Sequence, residues 1–153
     1  MNNPLEIFLL SLVPTFEGRY AIVYGIGRGY PLWETLLAAS LGVLLLSLTL
    51  PAVLPYIDRL MLWLEGTSLG RVARLYLHYV ERVRGKASPY VERWGFLGLT
   101  VFVAIPLPGT GVWTGALAAY LLGIDLKRTI PALVFGGLLS MLITLLPSLG
   151  LWG

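Results

Sequence analysis

Three long stretches of the sequence carry no charged residue, and they constrain the fold more than any other feature. They run from Thr35 to Ile57, from Trp94 to Ile124 and from Thr129 to Gly153. A helix needs about 20 apolar residues to cross the hydrocarbon core of a bilayer, so each stretch is long enough. Charged residues make up only 12% of the chain, about half the share found in an average soluble domain. We therefore expect a single all-α integral membrane domain, residues 1-153.

Several classes of function have little support in this composition. The chain has no cysteine and one histidine, which excludes disulfides and thiolate metal sites. Neither a paired-carboxylate motif nor a nucleophilic triad is visible. The run GTGVWTG loosely resembles a dinucleotide fingerprint, but an all-apolar segment cannot supply the α/β context that this motif requires. We therefore expect that the protein is not an enzyme and has no metal, no cofactor and no nucleic-acid partner.

The placement of the basic residues predicts the orientation of the chain. Seven of the eleven lie in residues 58-93, and Lys127 and Arg128 lie between the second and third uncharged stretches. Basic residues in short loops mark the cytoplasmic side, so both loops are expected there. The stretch Trp94–Ile124 must then enter the membrane and return on the same side. We expect a multi-pass protein of the plasma membrane, with linker 58-93 cytoplasmic and both termini outside.

The second uncharged stretch contains a sequence suited to such a reversal. IPLPGTG, from Ile105 to Gly111, holds two prolines and two glycines. Proline removes a hydrogen bond from a helix, and glycine permits a sharp change of direction. We therefore predict a re-entrant helical hairpin with its tip at this sequence.

The first half of the chain repeats this pattern. At an offset of 94, eleven of 44 positions are identical, including Pro14 with Pro108 and Gly29 with Gly123, which indicates an internal duplication. Each unit then holds one re-entrant hairpin and one transmembrane helix. A cytoplasmic linker forces the second unit upside down, as in transporters built from inverted repeats. The predicted parts are repeat one, 3-57, an amphipathic helical linker, 58-93, and repeat two, 94-153.

The run PTFEGR is the counterpart of PLPGTG and forms the tip of the first predicted hairpin. It places Glu17 and Arg19 deep in the membrane, inside a cavity lined by protein. An alternative is one ordinary crossing helix from Leu5 to Arg28. A charge at the centre of a lone helix costs about 2.5 to 3.5 kcal/mol, however, and this helix would carry two. Glu17 could pair with Arg19, carry a proton or act as a repulsive gate, and the sequence leaves these roles open.

The two tips form the predicted substrate site. A helix that begins at the second tip, with Thr110 as its cap, would point free N–H groups into the cavity, and such helix ends bind anions. Arg19 adds a guanidinium whose geometry suits phosphate. Glu17 is the candidate for proton coupling. The candidate substrate-binding residues are Glu17, Arg19, Pro106, Pro108, Gly109, Thr110 and Gly111.

Small residues recur at every fourth position in the returning arm of each hairpin. This spacing lets helix backbones approach closely, so we expect these arms to pack tightly against each other or against a partner. The residues assigned to helix packing are Gly25, Gly29, Gly115, Ala119 and Gly123.

The linker is predicted to contain an amphipathic helix that lies in the plane of the membrane interface. Its polar face is rich in arginine, which attracts anionic lipid headgroups. We expect this helix mainly to anchor the chain and pack on the bundle, with His78 as a solvated residue of the polar face. The predicted apolar face comprises Val72, Leu75, Tyr76, Tyr79, Val80 and Val83.

Two signatures resemble a known family. PTFEGRYAI, at Pro14 to Ile22, and IPLPGTGVWTGA, at Ile105 to Ala116, are similar to the small multidrug export proteins of bacteria and archaea, and the resemblance covers nearly the whole chain. That group more distantly resembles the DedA/VTT superfamily, for which the resemblance implies two opposed re-entrant hairpins and movement of lipids. Glu17 and Arg19 match the acid and base of the first hairpin. The second-tip arginine of DedA proteins has no counterpart here, which weakens the case for a doubly clamped phosphate.

The leading hypothesis from the sequence is a small transporter that moves an amphiphilic anion, a lipid-linked phosphate such as polyprenyl-phosphate, with proton coupling through Glu17. The first alternative is export of drugs or other hydrophobic cations, in which Glu17 binds the cation. The second alternative is a membrane scaffold that transports nothing. Two hairpins supply few buried helices for a pore, so we also expect a homodimer, with membrane lipids as partners.

Overall fold

The computed structural model describes residues 3–14, 16–106 and 110–152, with side chains as far as residue 150. The described residues form helices and no strands. Two of the helices, α3 and α7, are long and apolar enough to cross a membrane. In chain order the helices are α1 Pro4–Ser11, α2 Glu17–Gly27, α3 Leu32–Leu64, α4 Gly70–Trp94, α5 Phe96–Ala104, α6 Val112–Leu121 and α7 Leu126–Trp152.

The four short helices pair as two hairpins. α1, α2, α5 and α6 have 8, 11, 9 and 10 residues, and each is well short of the roughly 20 residues that cross a bilayer. In the first hairpin, Gly25 lies against the side chain of Ile7. In the second, Gly115 lies against Val103, so closely that a Cβ atom at Gly115 would collide with it. α2 therefore folds back along α1, and α6 folds back along α5.

Both hairpins connect to their long helix through the same turn. The N–H of Tyr30 donates to the carbonyl of Gly25 over 2.9 Å, and the N–H of Ile124 donates to the carbonyl of Ala119 over 2.9 Å. These helix-ending bonds need a residue in the left-handed region. Glycine supplies it in both halves, with φ of 82° at Gly29 and 73° at Gly123. The two halves therefore share the order of their helices and the geometry of this turn.

Gly29 and Gly123 were predicted to serve helix packing, but in the structure they form the turns that end α2 and α6. An added Cβ atom at either glycine would meet no atom within 4 Å. Their positive φ angles give the physical reason for glycine, because a side chain disfavours that conformation. Gly25 and Gly115 do lie in close contacts, and Ala119 is 1% exposed.

The first long helix extends beyond Ile57, the predicted end of its repeat, and continues to Leu64. It passes through Pro51 and Pro55, both inside the helix. A proline removes one backbone hydrogen bond of a helix, and α3 continues past both prolines. The linker outside the helices is therefore much shorter than residues 58-93.

α4 is amphipathic, but its apolar residues divide between two surroundings. Ala73, Val80 and Val83 are buried against the other helices, whereas Leu75 is 71% exposed and Val72 is 47% exposed. The prediction of one apolar face was therefore incomplete. Packing on the bundle uses only one side of that face and leaves its other side uncovered.

The long helices bring the hairpins together at the centre of the molecule. Gly18 of the first hairpin lies against Val43 of α3 and Met141 of α7. Gly137 of α7 lies against Val43 and against Val112 of the second hairpin. These close contacts place the start of α2 beside the start of α6, so that the tips of the two hairpins meet.

Candidate functional site

The tips of the two hairpins meet through a buried carboxylate. Glu17 is 3% exposed. Its Oε2 accepts a hydrogen bond from the backbone N–H of Val112 over 2.9 Å, and its Oε1 accepts one from the N–H of Trp113 over 3.1 Å. Both donors belong to the first turn of α6, so the acid of the first hairpin caps the helix of the second.

The local structure of α6 explains this contact. The first N–H groups of a helix have no partner within the helix, and the helix dipole places partial positive charge there. The residue before α6 is Gly111, with φ of 112° and no side chain to form a cap. A Cβ atom at this position would collide with the Glu17 carboxylate. Glycine therefore admits Glu17 to the helix end.

Thr110 does not take the capping role predicted for it, since the residue at the cap is Gly111. The Thr110 hydroxyl donates instead to the carbonyl of Ile105. The N–H groups of Val112 and Trp113, expected to be free for an anion, are both bonded to Glu17. The protein's own carboxylate thus occupies the end of the helix.

Arg19 makes the complementary contact with the end of α5. It is 1% exposed. Its Nη1 donates to the carbonyl of Ile105 over 2.9 Å and to the Thr110 hydroxyl over 3.0 Å, and its Nη2 donates to the Thr110 carbonyl over 2.6 Å. Ile105 directly follows α5, where the helix dipole places partial negative charge. Glu17 therefore binds the positive end of α6, and Arg19 binds the negative end of α5. Both charged residues belong to the first hairpin, and both helix ends belong to the second.

Glu17 and Arg19 do not form a direct ion pair with each other. Within the described part of the chain, the ion pairs closer than 4 Å join Arg84 to Glu81 and Arg128 to Asp125. The ion pair considered from the sequence is therefore replaced by two contacts that cross between the hairpins.

The backbone at Glu17 is strained. Its φ of 52° is the one positive value among the described residues other than glycine. A residue held in this region costs on the order of 1 kcal/mol, and such residues cluster at functional sites. This backbone conformation directs the carboxylate towards α6.

A third contact links the tips in the opposite direction. The indole Nε1 of Trp113 donates to the carbonyl of Leu12, at the end of α1, over 3.1 Å. The second hairpin thereby donates a hydrogen bond to a carbonyl at the end of α1. Glu17 and Arg19 make the corresponding contacts in the other direction, to α6 and to the end of α5. Pro106, a predicted binding residue, lies close by, with its carbonyl 3.5 Å from the Tyr20 hydroxyl. Two other predicted binding residues, Pro108 and Gly109, lie outside the described residues.

A cavity of about 370 Å³ adjoins the tips. Trp113 links the cavity to Glu17, because Trp113 lines the cavity and its backbone N–H donates to the carboxylate. Burial, and then the negative charge of Glu17, raise the pKa of the Tyr79 phenol on the facing helix. The cavity walls are therefore apolar and aromatic with a carboxylate beside them. The lining residues are Pro14, Leu54, Ile57, Tyr76, Tyr79, Trp113 and Leu117.

The sequence interpretation missed the aromatic part of this site. Trp113 was visible only as part of a glycine-rich run, and Tyr76 and Tyr79 only as members of an amphipathic face. The sequence signal was weak, because Tyr and Trp are common at membrane interfaces whether or not they line a cavity. Within the described residues, no three acidic or histidine side chains come together as metal ligands would.

The fold and the site together define a class of protein: an all-α membrane protein with two long apolar helices and two short-helix hairpins, in which an acid and a base at the tip of the first bind helix ends of the second. The family model described as "Putative small multi-drug export protein" matches residues 17–143, most of the chain, and the chain belongs to this family. No curated protein and no solved structure matches it.

Proposed function

We propose that this protein is a small multidrug exporter that carries hydrophobic organic cations across the membrane and that it acts by transport rather than catalysis. The observation that carries this proposal is the position of Glu17, a buried carboxylate next to an aromatic cavity. A carboxylate attracts a cation strongly where water is excluded. The family to which the chain belongs is described as one of multi-drug export, which supports the export of drugs.

The walls of the cavity favour a cation with apolar substituents. Tyr76, Tyr79 and Trp113 contribute aromatic rings, and the faces of such rings attract cations within about 6 Å. Leu54 and Leu117 supply apolar surface for the rest of the molecule. A flat, hydrophobic cation fits both features.

The charged groups give less support to a lipid-linked phosphate, the leading hypothesis from the sequence. An anion at the tips would have to displace Glu17 from Val112 and Trp113. It would also have to compete with two carbonyl oxygens and a hydroxyl for the guanidinium of Arg19. Each replacement breaks charge-assisted hydrogen bonds, which are about twice as strong as neutral ones.

The proposed cycle uses the contact between the tips as its switch. In the closed form, Glu17 is bound to the end of α6. A cation or a proton that binds the carboxylate weakens this contact and allows the hairpins to separate. The proposal places both hairpins in the membrane as re-entrant segments of two inverted repeats. It also places α4 on the cytoplasmic side of the plasma membrane, both termini outside, and two copies of the chain in a homodimer.

Reconstitution into liposomes tests this function. Purified protein is supplied with ethidium in one series and with a fluorescent polyprenyl-phosphate in the other, each with and without a pH gradient. We expect movement of ethidium that falls at least about tenfold in Glu17→Gln, since the variant lacks the charge that binds the cation. Glu65→Gln serves as the control, because Glu65 is exposed at the end of α3.

Two outcomes would contradict the proposal. Movement of the phosphate lipid without movement of ethidium would restore the anion hypothesis. Equal ethidium transport by the wild type and Glu17→Gln would remove Glu17 from the mechanism.

A further inference from the structure

A second carboxylate connects three helices at some distance from the tips. Asp58, on α3, accepts a hydrogen bond at Oδ1 from the hydroxyl of Tyr76 over 2.9 Å. At Oδ2 it accepts one from the hydroxyl of Tyr120 over 3.3 Å. Tyr76 belongs to α4 and Tyr120 to α6, so one side chain holds the amphipathic helix and the second hairpin together.

The two phenols come from the walls of two different cavities. Tyr76 lines the 370 Å³ cavity beside the tips. Tyr120 lines another cavity, of about 270 Å³, which extends to Asp125 at the end of the α6–α7 loop. Asp58 therefore lies at the partition between a cavity that adjoins Glu17 and a cavity that opens near the α6–α7 loop.

The charge of Asp58 has no basic partner in the described residues, where the ion pairs are those of Arg84 with Glu81 and Arg128 with Asp125. Its hydrogen-bond donors are neutral phenols. Burial and the bond to Asp58 raise the pKa of the Tyr76 phenol, so this group stays a donor throughout the physiological range of pH. The neighbouring Arg59 lies over the ring of Tyr56 and forms no ion pair with Asp58, although its charge acts on Tyr120. A half-buried carboxylate bound by neutral donors attracts cations.

We propose that Asp58 is an entry site for organic cations on the way to Glu17. A cation that pairs with Asp58 replaces the phenols as the partner of the carboxylate. Release of Tyr76 and Tyr120 removes the partition, and the two cavities become one path from the α6–α7 loop to the tips. The aromatic rings freed in this way line the path. This inference rests on the proposed function for its substrate class, but its structural part can be tested separately.

The test measures access to the inner cavity with a single cysteine. The chain contains no cysteine, and Leu117 lines the inner cavity while being 3% exposed, so Leu117→Cys reports on that cavity alone. The full-length variant in liposomes is treated with two methanethiosulfonates of similar size, one bearing trimethylammonium and one bearing sulfonate. Labelling rates are compared in the Leu117→Cys background and after further substitutions.

Two results are expected. Tyr76→Phe with Tyr120→Phe removes both donors and keeps the rings, so labelling by the cationic reagent should rise several-fold. Asp58→Asn removes the charge that attracts the cationic reagent and repels the anionic one, so the preference for the cationic over the anionic reagent should fall about tenfold. Asp58→Glu should retain that preference.

The controls separate the entry site from general loosening of the fold. Tyr90→Phe, which removes a phenol from another part of α4, should leave both rates unchanged. A Val43→Cys variant reports on the centre of the bundle, because Val43 is 1% exposed, and its labelling should stay slow in every background. An unchanged rate in the double phenylalanine variant, or an unchanged charge preference in Asp58→Asn, would overturn the inference.

The same data distinguish this inference from the proposed function. If labelling follows these expectations while reconstituted protein moves no ethidium, the entry site stands and the export of cations fails. If ethidium is moved and labelling is insensitive to Asp58, export stands and the entry site fails.

Discussion

The carboxylate of Glu17 lies 2.9 Å from the backbone nitrogen of Val112, a residue 95 positions later in the chain. This contact joins the first turn of α2 to the first turn of α6. The negative charge of Glu17 stabilises the positive end of α6, and this contact holds the two hairpins together. Arg19 completes the arrangement by binding the carbonyl end of α5.

Glu17→Gln is expected to destabilise the folded protein by about 2 kcal/mol, because two hydrogen bonds to a charged acceptor are lost or weakened. The amide can accept from Val112 or Trp113 through its oxygen, but its NH₂ group opposes the second N–H. Thermal unfolding of the purified protein in detergent, followed by circular dichroism, measures the change. The exposed Glu65→Gln is the control and should leave the midpoint where it is. A midpoint equally unaffected in Glu17→Gln would show that the cap contributes nothing to stability.

Gly111→Ala is expected to destabilise the protein by about 1 to 3 kcal/mol, since a side chain is strained at its φ of 112°. The added Cβ atom also meets the Glu17 carboxylate. Gly85→Ala is a matched control, because that glycine lies inside α4 with no atom within 4 Å of an added Cβ. The control should be neutral or slightly stabilising, as alanine favours helices over glycine. The same unfolding measurement compares the two, and equal midpoints would contradict the described cap.

The Tyr79 phenol is expected to titrate at lower pH in Glu17→Gln than in the wild type. Burial and the charge of Glu17 both raise the pKa of this phenol, and the substitution removes the second cause while burial remains. The pKa should therefore fall towards, but not reach, the ordinary value of about 10. NMR of ¹³C-labelled tyrosine in micelles measures it, with Tyr79→Phe used for assignment. A midpoint that does not move would mean that Glu17 carries no charge in the wild type.

Single cysteines should reveal that both hairpins return to the side from which they enter. Asn3→Cys and Arg28→Cys flank the first hairpin, and Arg93→Cys and Lys127→Cys flank the second. An impermeant thiol reagent added outside cells should label the first pair and spare the second, because short helices of about ten residues cannot cross the bilayer. Labelling of permeabilised cells is the control, since it shows that each cysteine can react when the reagent reaches both sides of the membrane. Opposite accessibility within either pair would rule out a re-entrant hairpin.

Much of the architecture could be predicted because its causes are local. Uncharged stretches specify helices α3 and α7, and Gly29 and Gly123 mark equivalent turns. The duplicated spacing relates Leu32 to Leu126, the first residues of the two long helices. Even the tip charges Glu17 and Arg19 were evident, since an ionisable residue in an apolar segment is conspicuous. The sequence did not bound the end of α3, which continues through Pro51 and Pro55 to Leu64, into the residues assigned to the linker.

By itself, then, the sequence determined the class of protein, the positions of the reversals and the charged residues at one of them. Tertiary structure alone decided the partners: Glu17 binds α6 rather than Arg19 or a free anion, and aromatic residues of α4 close a cavity beside it. The physical reason is the separation along the chain over which each kind of interaction acts. Periodicity and turn chemistry act over a few neighbouring residues, whereas a carboxylate chooses its donors among groups that only the packing of distant helices brings within 3 Å.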